Sequence, residues 1–220
     1  TLKGDNYDQL IDSPFELAEQ SRFSFEANGI PHEFVISGQH NTNLERLKTD
    51  IEKICQTEIN MFGSAPFQNY TFMTMATGNS YGGLEHCNST SLITPRDDLP
   101  KADEAEEPSK DYQRFLVLCS HEYFHSWLVK FIRPENFANY DLQKEGYTSL
   151  LWIFEGFTSY YDDLILLRSG VISQTSYLEL LKAQIDRYLQ NPGRAIQSVS
   201  ESSFDAWIKF YRQDENSNNA

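Results

Sequence analysis

The chain has 220 residues, 40% of them hydrophobic and 14% aromatic, which is enough to bury a sizeable core and excludes a disordered or fibrous protein. Its 18 basic and 32 acidic residues give a formal net charge of −14, which argues against nucleic acid or an anionic membrane as the main partner. No apolar run approaches the roughly 18 residues that a membrane helix needs. No signal-peptide pattern opens the chain, and its first residue is Thr1, from which we expect a processed product or an excised piece of a longer protein.

The first forty residues predict strands and turns. Apolar and polar residues alternate over residues 23–27, an Asn-Gly turn follows, and residues 32–37 predict a second strand. We interpret residues 1–40 as the end of a β region, or its join to a main domain that spans residues 41–220.

A clear helix begins after Asn43. Its apolar residues recur on one face with a 3.6-residue period, at Leu44, Leu47, Ile51, Ile54 and Cys55. Gly63 and Pro66 end it. Residues 67–94 return to strand character, and the acidic residues 95–111 predict a solvated loop.

The rest of the chain is predominantly helical. Two long helices are predicted over residues 111–131 and 141–167, and the second is apolar on most of its circumference, as buried helices are. A third helix, capped by Ser173 or Thr175, runs to about residue 189 and is stopped by a Pro-Gly pair. A last short helix carries Phe204, Trp207, Ile208 and Tyr211.

The three cysteines, Cys55, Cys87 and Cys119, are odd in number and widely spaced. We therefore predict buried or half-buried thiols, no disulfide framework and no cysteine-based zinc site. This cysteine usage is compatible with a soluble protein of either the bacterial cytoplasm or the periplasm, so the compartment stays open.

A metal site is predicted by residues 121–125, which have the pattern His-Glu-x-x-His. On a helix, four residues advance about 400°, so the imidazoles of His121 and His125 share one face and can hold one ion. Glu122 then points towards the open side of the ion, where it can take a proton from water. The alternative is a helix with two hydrogen-bonded structural histidines.

A catalytic zinc site needs a third protein ligand, and Glu155 is the best candidate. It lies in the apolar segment of residues 152–157, where a carboxylate is costly unless it is paired or bound to metal. The alternative for Glu155 is a buried carboxyl that is hydrogen-bonded to a hydroxyl group.

A glycine pair precedes the metal motif by about 35 residues. Gly82 and Gly83 expose backbone at a strand, where an extended peptide can lie close, and Glu85 follows where it can pair with a substrate ammonium group. The alternative is an ordinary turn beside a charged strand residue.

Residues 121–134 (HEYFHSWLVKFIRP) and 150–161 (LLWIFEGFTSYY) closely resemble the glycyl aminopeptidase family of zinc metallopeptidases. Residues 82–86 resemble that family's version of the Gly-x-Met-Glu-Asn exopeptidase signature, and residues 12–14 resemble the join into its catalytic domain. Full chains of the family carry an N-terminal β domain, a thermolysin-like catalytic domain and a C-terminal PDZ domain. The resemblance implies an α+β fold, with a small mixed sheet followed by a mainly helical half, and a thermolysin-like domain over residues 41–220 that is truncated at its C-terminal end.

The resemblance also implies roles for single residues. His121, His125 and Glu155 would bind Zn²⁺, Glu122 would act first as general base and then as general acid, and Glu85 would hold the free N-terminus of a peptide substrate. The family favours peptides that begin with glycine or alanine.

Two positions depart from the family pattern. Leu128 stands where the family has a polar asparagine, which puts a contact around the metal ligands in doubt. Related enzymes place an oxyanion-stabilising tyrosine about 60–75 residues beyond the glutamate ligand, and no tyrosine follows Tyr211 here. We expect the chain to stop just before that tyrosine, and we interpret Tyr160 and Tyr161 as packing residues.

Two other functions stay open at this stage. A zinc endopeptidase of the same clan would share the metal site but would have no substrate ammonium for Glu85 to bind. A non-catalytic module would keep the fold and bind only metal or peptide.

Overall fold

The computed structural model describes residues 4–211. Its strands are β1 (Gln20–Ala27), β2 (Ile30–Ser37), β3 (Tyr70–Thr77), β4 (Gly82–Glu85) and β5 (Ser89–Pro95). Its α-helices are α1 (Tyr7–Ile11), α2 (Leu44–Phe62), α3 (Lys110–Phe124), α4 (Glu135–Ala138), α5 (Leu151–Arg168), α6 (Gln174–Gln190) and α7 (Val199–Lys209). Two short 3₁₀ helices span Arg96–Asp98 and Pro192–Ala195.

The strands form one mixed sheet in the order β1-β2-β3-β5-β4. β2, β3 and β5 are parallel to one another, whereas β1 and β4 are antiparallel to their neighbours. The prediction of a small mixed sheet followed by helices is therefore confirmed. β1 and β2 belong to the same sheet as the later strands, and β4 lies at its edge.

The predicted helix after Asn43 is confirmed as α2. The Asn43 side chain accepts a hydrogen bond from the backbone N–H of Arg46, and Gly63 ends the helix in the left-handed conformation at φ 80°. The buried face carries Leu47, Ile51, Ile54 and Ile59. Each such side chain stabilises the fold by roughly 1.5–3 kcal/mol when it leaves water.

The ends of the two central helices differ from the prediction. α3 ends at Phe124 instead of residue 131, because the chain turns back so that the Leu128 carbonyl accepts a hydrogen bond from His125 Nδ1 at 2.7 Å. Val129 then has φ 136°, a left-handed value that a β-branched residue rarely adopts and that no helix contains. α5 begins at Leu151 instead of residue 141, since residues 139–146 are mostly polar and offer no apolar face to bury.

The predicted burial of α5 on most of its circumference is wrong. Phe154, Ile165 and Leu166 are buried, but Trp152 and Phe157 are exposed. The helix therefore presents one face to α3 and another to a cleft and to solvent.

The remaining predictions have mixed outcomes. Ser173 is the N-cap of α6, as predicted, and a Pro-Gly pair follows that helix. Cys55 and Cys119 are buried, as predicted, but Cys87 is exposed, because it lies in the turn between β4 and β5. Of the two tyrosines interpreted as packing residues, Tyr161 packs against Phe124, with ring centroids 5.5 Å apart, whereas Tyr160 is exposed. Between residues 4 and 211, none of the helices is both long and apolar enough to span a bilayer.

Candidate metal and catalytic site

Helix α3 brings the two histidines of the motif to one face near its C-terminal end. The Nε2 atoms of His121 and His125 are 3.1 Å apart. Helix α5 packs against α3 and supplies Glu155, whose Oε2 lies 3.3 Å from His121 Nε2 and 3.6 Å from His125 Nε2. The structure thus brings together the three residues that the sequence suggested as ligands.

The three ligand atoms have the spacing of a tetrahedral zinc site. Zinc–ligand bonds of about 2.0–2.1 Å in tetrahedral geometry separate the ligand atoms by about 3.3 Å. The observed separations of 3.1–3.6 Å fit that value. Two imidazoles and one carboxylate also form the donor set of many catalytic zinc sites, which keep a further position open.

Each histidine is oriented by a hydrogen bond at its other ring nitrogen. His121 Nδ1 lies 2.9 Å from Asp162 Oδ2, and His125 Nδ1 lies 2.7 Å from the Leu128 carbonyl. If Nδ1 donates in both rings, both Nε2 atoms keep a free lone pair for a metal. Because Leu128 acts through its backbone, the absence of an asparagine side chain leaves this contact intact.

Asp162 was not identified from the sequence. It lies seven residues after Glu155, on the same face of α5, and is buried. The sequence feature that could have identified Asp162 is a second acidic residue, seven positions after Glu155, in a largely apolar helix.

Burial alone lowers the pKa of His121, but its hydrogen bonds to Asp162 and Glu155 raise it to about 10. Burial alone raises the pKa of Glu155, but the two imidazoles hold it well below its usual value.

Glu122 is buried beside the ligand cluster. Its Oε2 has no hydrogen-bond partner among the described residues. Burial raises the pKa of Glu122 to about 7, although His125 and His121 act in the opposite direction. A carboxyl group with this pKa can both accept and release a proton near neutral pH.

Strand β4 passes directly beside Glu122. A Cβ atom on Gly83 would lie only 2.3 Å from Glu122 Oε1, whereas a Cβ on Gly82 would meet nothing within 4 Å. Glu85 is half-buried at the end of β4 and lines the same cleft as His121 and Glu122. Within the described sheet β4 pairs only with β5, so its other edge can accept an extended peptide.

Asp12 ties three segments together beside this strand. One carboxylate oxygen accepts from the backbone N–H of Cys87 at 2.7 Å, and the other lies 2.8 Å from Lys130 Nζ and 3.5 Å from His86 Nδ1. Burial alone raises the pKa of Asp12, but the nearby His86 imidazole, the Lys130 ammonium group and the backbone N–H of Cys87 hold it well below its usual range. Asp12 thereby connects the turn after β4 to the loop that follows α3.

The cleft has a volume of about 1030 Å³. Its walls come from β4, the C-terminal end of α3, the segment 129–148 that follows it, the first turns of α5 and residues 188–211. Tyr211 lies in this last wall, and its hydroxyl group donates a weak hydrogen bond of 3.4 Å to Glu155 Oε1. The sequence predicted that the chain stops just before the oxyanion tyrosine, and it assigned Tyr211 no role in the site.

Known proteins resemble this chain both in sequence and in structure. A scan of protein families matches residues 114–220 to the family described as M61 glycyl aminopeptidase. The structure is also similar to the crystal structure of an aminopeptidase N family protein from Idiomarina loihiensis, with a TM-score of 0.95 and 50% sequence identity. That match covers 99% of this chain and 37% of the other chain. A comparison with curated proteins gives no match.

Proposed function

Since residues 114–220 match the M61 glycyl aminopeptidase family, we propose that this chain carries the zinc-dependent centre of an aminopeptidase. One observation carries the proposal. The three ligand atoms have tetrahedral spacing and line the same cleft as the edge strand β4. The Glu122 carboxyl group lines this cleft too, and its Oε2 has no hydrogen-bond partner among the described residues. The proposal includes a thermolysin-like arrangement, in which β4, α3 and α5 surround the reacting groups.

His121, His125 and Glu155 would hold the metal, and Asp162 and the Leu128 carbonyl would orient the two imidazoles. A bound zinc ion supplies a Lewis acid for the scissile carbonyl and for the attacking water. Glu122 takes up a proton from that water and later transfers it to the leaving amine. Burial of this carboxyl group raises its pKa, which favours uptake of the proton.

β4 and Glu85 would position the substrate. The peptide backbone lies along the open edge of β4, and the Glu85 carboxylate binds the free α-ammonium group at the end of that strand. Peptides with a free N-terminus are therefore the substrates, and the family resemblance implies a preference for glycine or alanine as the first residue. Tyr211 supplies a hydroxyl group to the oxyanion that develops during attack, since its oxygen lies near Glu155.

Two measurements on the intact protein that contains this chain test the proposal. The first is metal content, which should be about one zinc per chain and should be lost when His121 and His125 are both replaced by alanine. Tight zinc binding that survives this double change would contradict the metal site.

The second measurement is turnover of Gly- and Ala-leading peptides by Glu122→Gln. This variant should keep its zinc and lose about two to four orders of magnitude in kcat, the usual effect of removing a general base. The matched control is Glu26→Gln, since Glu26 is an exposed residue of β1 with the same charge. Turnover near the wild-type value in Glu122→Gln would show that another group activates the water.

A further inference from the structure

Arg194 is the only Arg or Lys among the described residues that line the cleft. The cleft also contains the carboxyl groups of Glu85, Glu122 and Glu155, and the chain has a net charge of −14. An anionic group of a substrate is therefore repelled by these three carboxyl groups. Among the side chains of the described cleft wall, only that of Arg194 carries a permanent positive charge that can bind such a group.

The backbone of Arg194 is held in place, while its side chain is exposed. Arg194 lies in the 3₁₀ helix Pro192–Ala195, which the Asn191 side chain caps by accepting a hydrogen bond from Gly193 N at 2.8 Å. Gly193 is buried, so the turn is anchored to the domain. The guanidinium carbon lies 5.8 Å from the ring centroid of Tyr188, which also lines the cleft.

Within residues 4–211, no carboxylate lies within 4.0 Å of the Arg194 guanidinium. The two acidic residues that follow it in the described part of the chain are already engaged. Asp205 pairs with Lys209 at 2.6 Å, and Glu201 accepts hydrogen bonds from Ser198 in the capping box of α7. The planar guanidinium group of Arg194 can bind a carboxylate through two parallel hydrogen bonds. No carboxylate in the described part of the chain occupies it.

We propose that Arg194 determines specificity by binding a substrate carboxylate on the leaving-group side of the scissile bond. The inference rests on the proposed aminopeptidase function. In a peptide whose first residue is glycine or alanine, every carboxylate lies beyond the first peptide bond. It is either the C-terminal carboxylate of a short peptide or the side chain of a downstream Asp or Glu. The cleft thus selects dipolar peptides, with the ammonium group at Glu85 and the carboxylate at Arg194.

The test uses the intact protein and four peptides. Ala-Ala-Ala is compared with its C-terminal amide, and Ala-Glu-Ala amide is compared with Ala-Gln-Ala amide. The wild type should have a higher kcat/KM for the carboxylate member of one of these pairs, by about 3- to 30-fold, the range for a partly exposed charge-assisted contact. The first pair reports a C-terminal carboxylate, and the second reports an acidic side chain.

In Arg194→Gln the ratio of kcat/KM between the two members of that pair should fall close to one, and Arg194→Lys should keep part of it. The matched control is Arg187→Gln, since Arg187 is exposed on α6 and does not line the cleft. It should keep the wild-type ratio.

Equal cleavage of both members of both pairs by the wild type would overturn the role of Arg194. An unchanged ratio in Arg194→Gln would do the same, and in both cases cleavage of the amides would leave the aminopeptidase function standing. Failure to cleave any of the four peptides, amides included, would contradict the proposed function and this inference with it.

Discussion

Gly83 in strand β4 lies so close to Glu122 in helix α3 that no side chain fits between them. A Cβ on Gly83 would stand 2.3 Å from Glu122 Oε1 and 2.6 Å from its Cγ. The missing side chain therefore sets the position of the proposed general base, in addition to exposing backbone to a substrate.

Gly83→Ala should displace the Glu122 carboxyl group, because atoms that are not bonded to each other cannot approach to 2.3 Å. We expect kcat to fall by about 10²-fold or more, since a general base acts only from hydrogen-bond distance. Zinc content should be unchanged. Gly78→Ala is the control, since a Cβ there meets nothing within 4 Å and its backbone is not left-handed. Equal kcat values for the two variants would show that Glu122 does not need this space.

Asp162→Asn should lower metal affinity by about 10- to 100-fold, the usual effect of removing a group that orients a histidine ligand. The asparagine keeps the volume but presents no carboxylate to His121 Nδ1, 2.9 Å away. The neighbouring Asp163 is equally buried but contacts Gln184 instead of a ligand, so Asp163→Asn should bind metal as the wild type does. Competition with a chelator measures the metal affinity of both variants. If both lose the same affinity, the loss comes from removing a buried charge and not from the contact with His121.

Glu85→Ala should lower kcat/KM by about 10- to 150-fold for peptides with a free N-terminus, because it removes the carboxylate that pairs with the ammonium group. N-acetylated peptides should be poor substrates for the wild type and little affected by the change. Equal cleavage of free and acetylated peptides by the wild type would favour a zinc endopeptidase instead.

Tyr211→Phe should lower kcat by about 10- to 10³-fold with a smaller change in KM, since a donor to the oxyanion acts mainly in the transition state. Tyr160→Phe serves as the control, because Tyr160 is an exposed residue of α5 that does not line the cleft. A KM effect alone would place Tyr211 in substrate binding and leave the oxyanion donor to be found elsewhere.

Asp163 makes stability depend on pH. Burial and the neighbouring Asp162 together raise the pKa of Asp163 to about 7, whereas an unfolded Asp has a pKa near 3.9. The folded state thus binds more protons than the unfolded state between these values, so this group lowers the free energy of unfolding as pH rises from about 4 to 7. Asp163→Asn should therefore stabilise the protein at pH 8, by up to about 4 kcal/mol, and much less at pH 4. Denaturant unfolding at both pH values measures the difference, and an equal effect at the two would contradict a raised pKa.

Several features of this protein follow from the sequence alone because they depend on neighbouring residues. The helical period places His121 and His125 on one face, and Asn43 and Gly63 mark the ends of α2 through local hydrogen bonds and a left-handed cap. Glu155 was recognisable because a carboxylate in an apolar segment needs a partner. The mixed sheet with following helices was likewise predictable from periodicity and turn residues together with the family resemblance.

Other features were decided only by contacts between distant segments. The position at which α3 ends depends on a bond from His125 to a carbonyl that reaches it only after the chain turns back. Asp162 gains its role because α5 packs against α3, and Gly83 gains its role because β4 passes beside Glu122. Arg194 lies nearly forty residues beyond Glu155 and faces the same cleft only once α5 and the segments that follow it have packed together. Hydrophobic burial of whole helices and strands sets these approaches, and no local sequence pattern records which side chains will then meet.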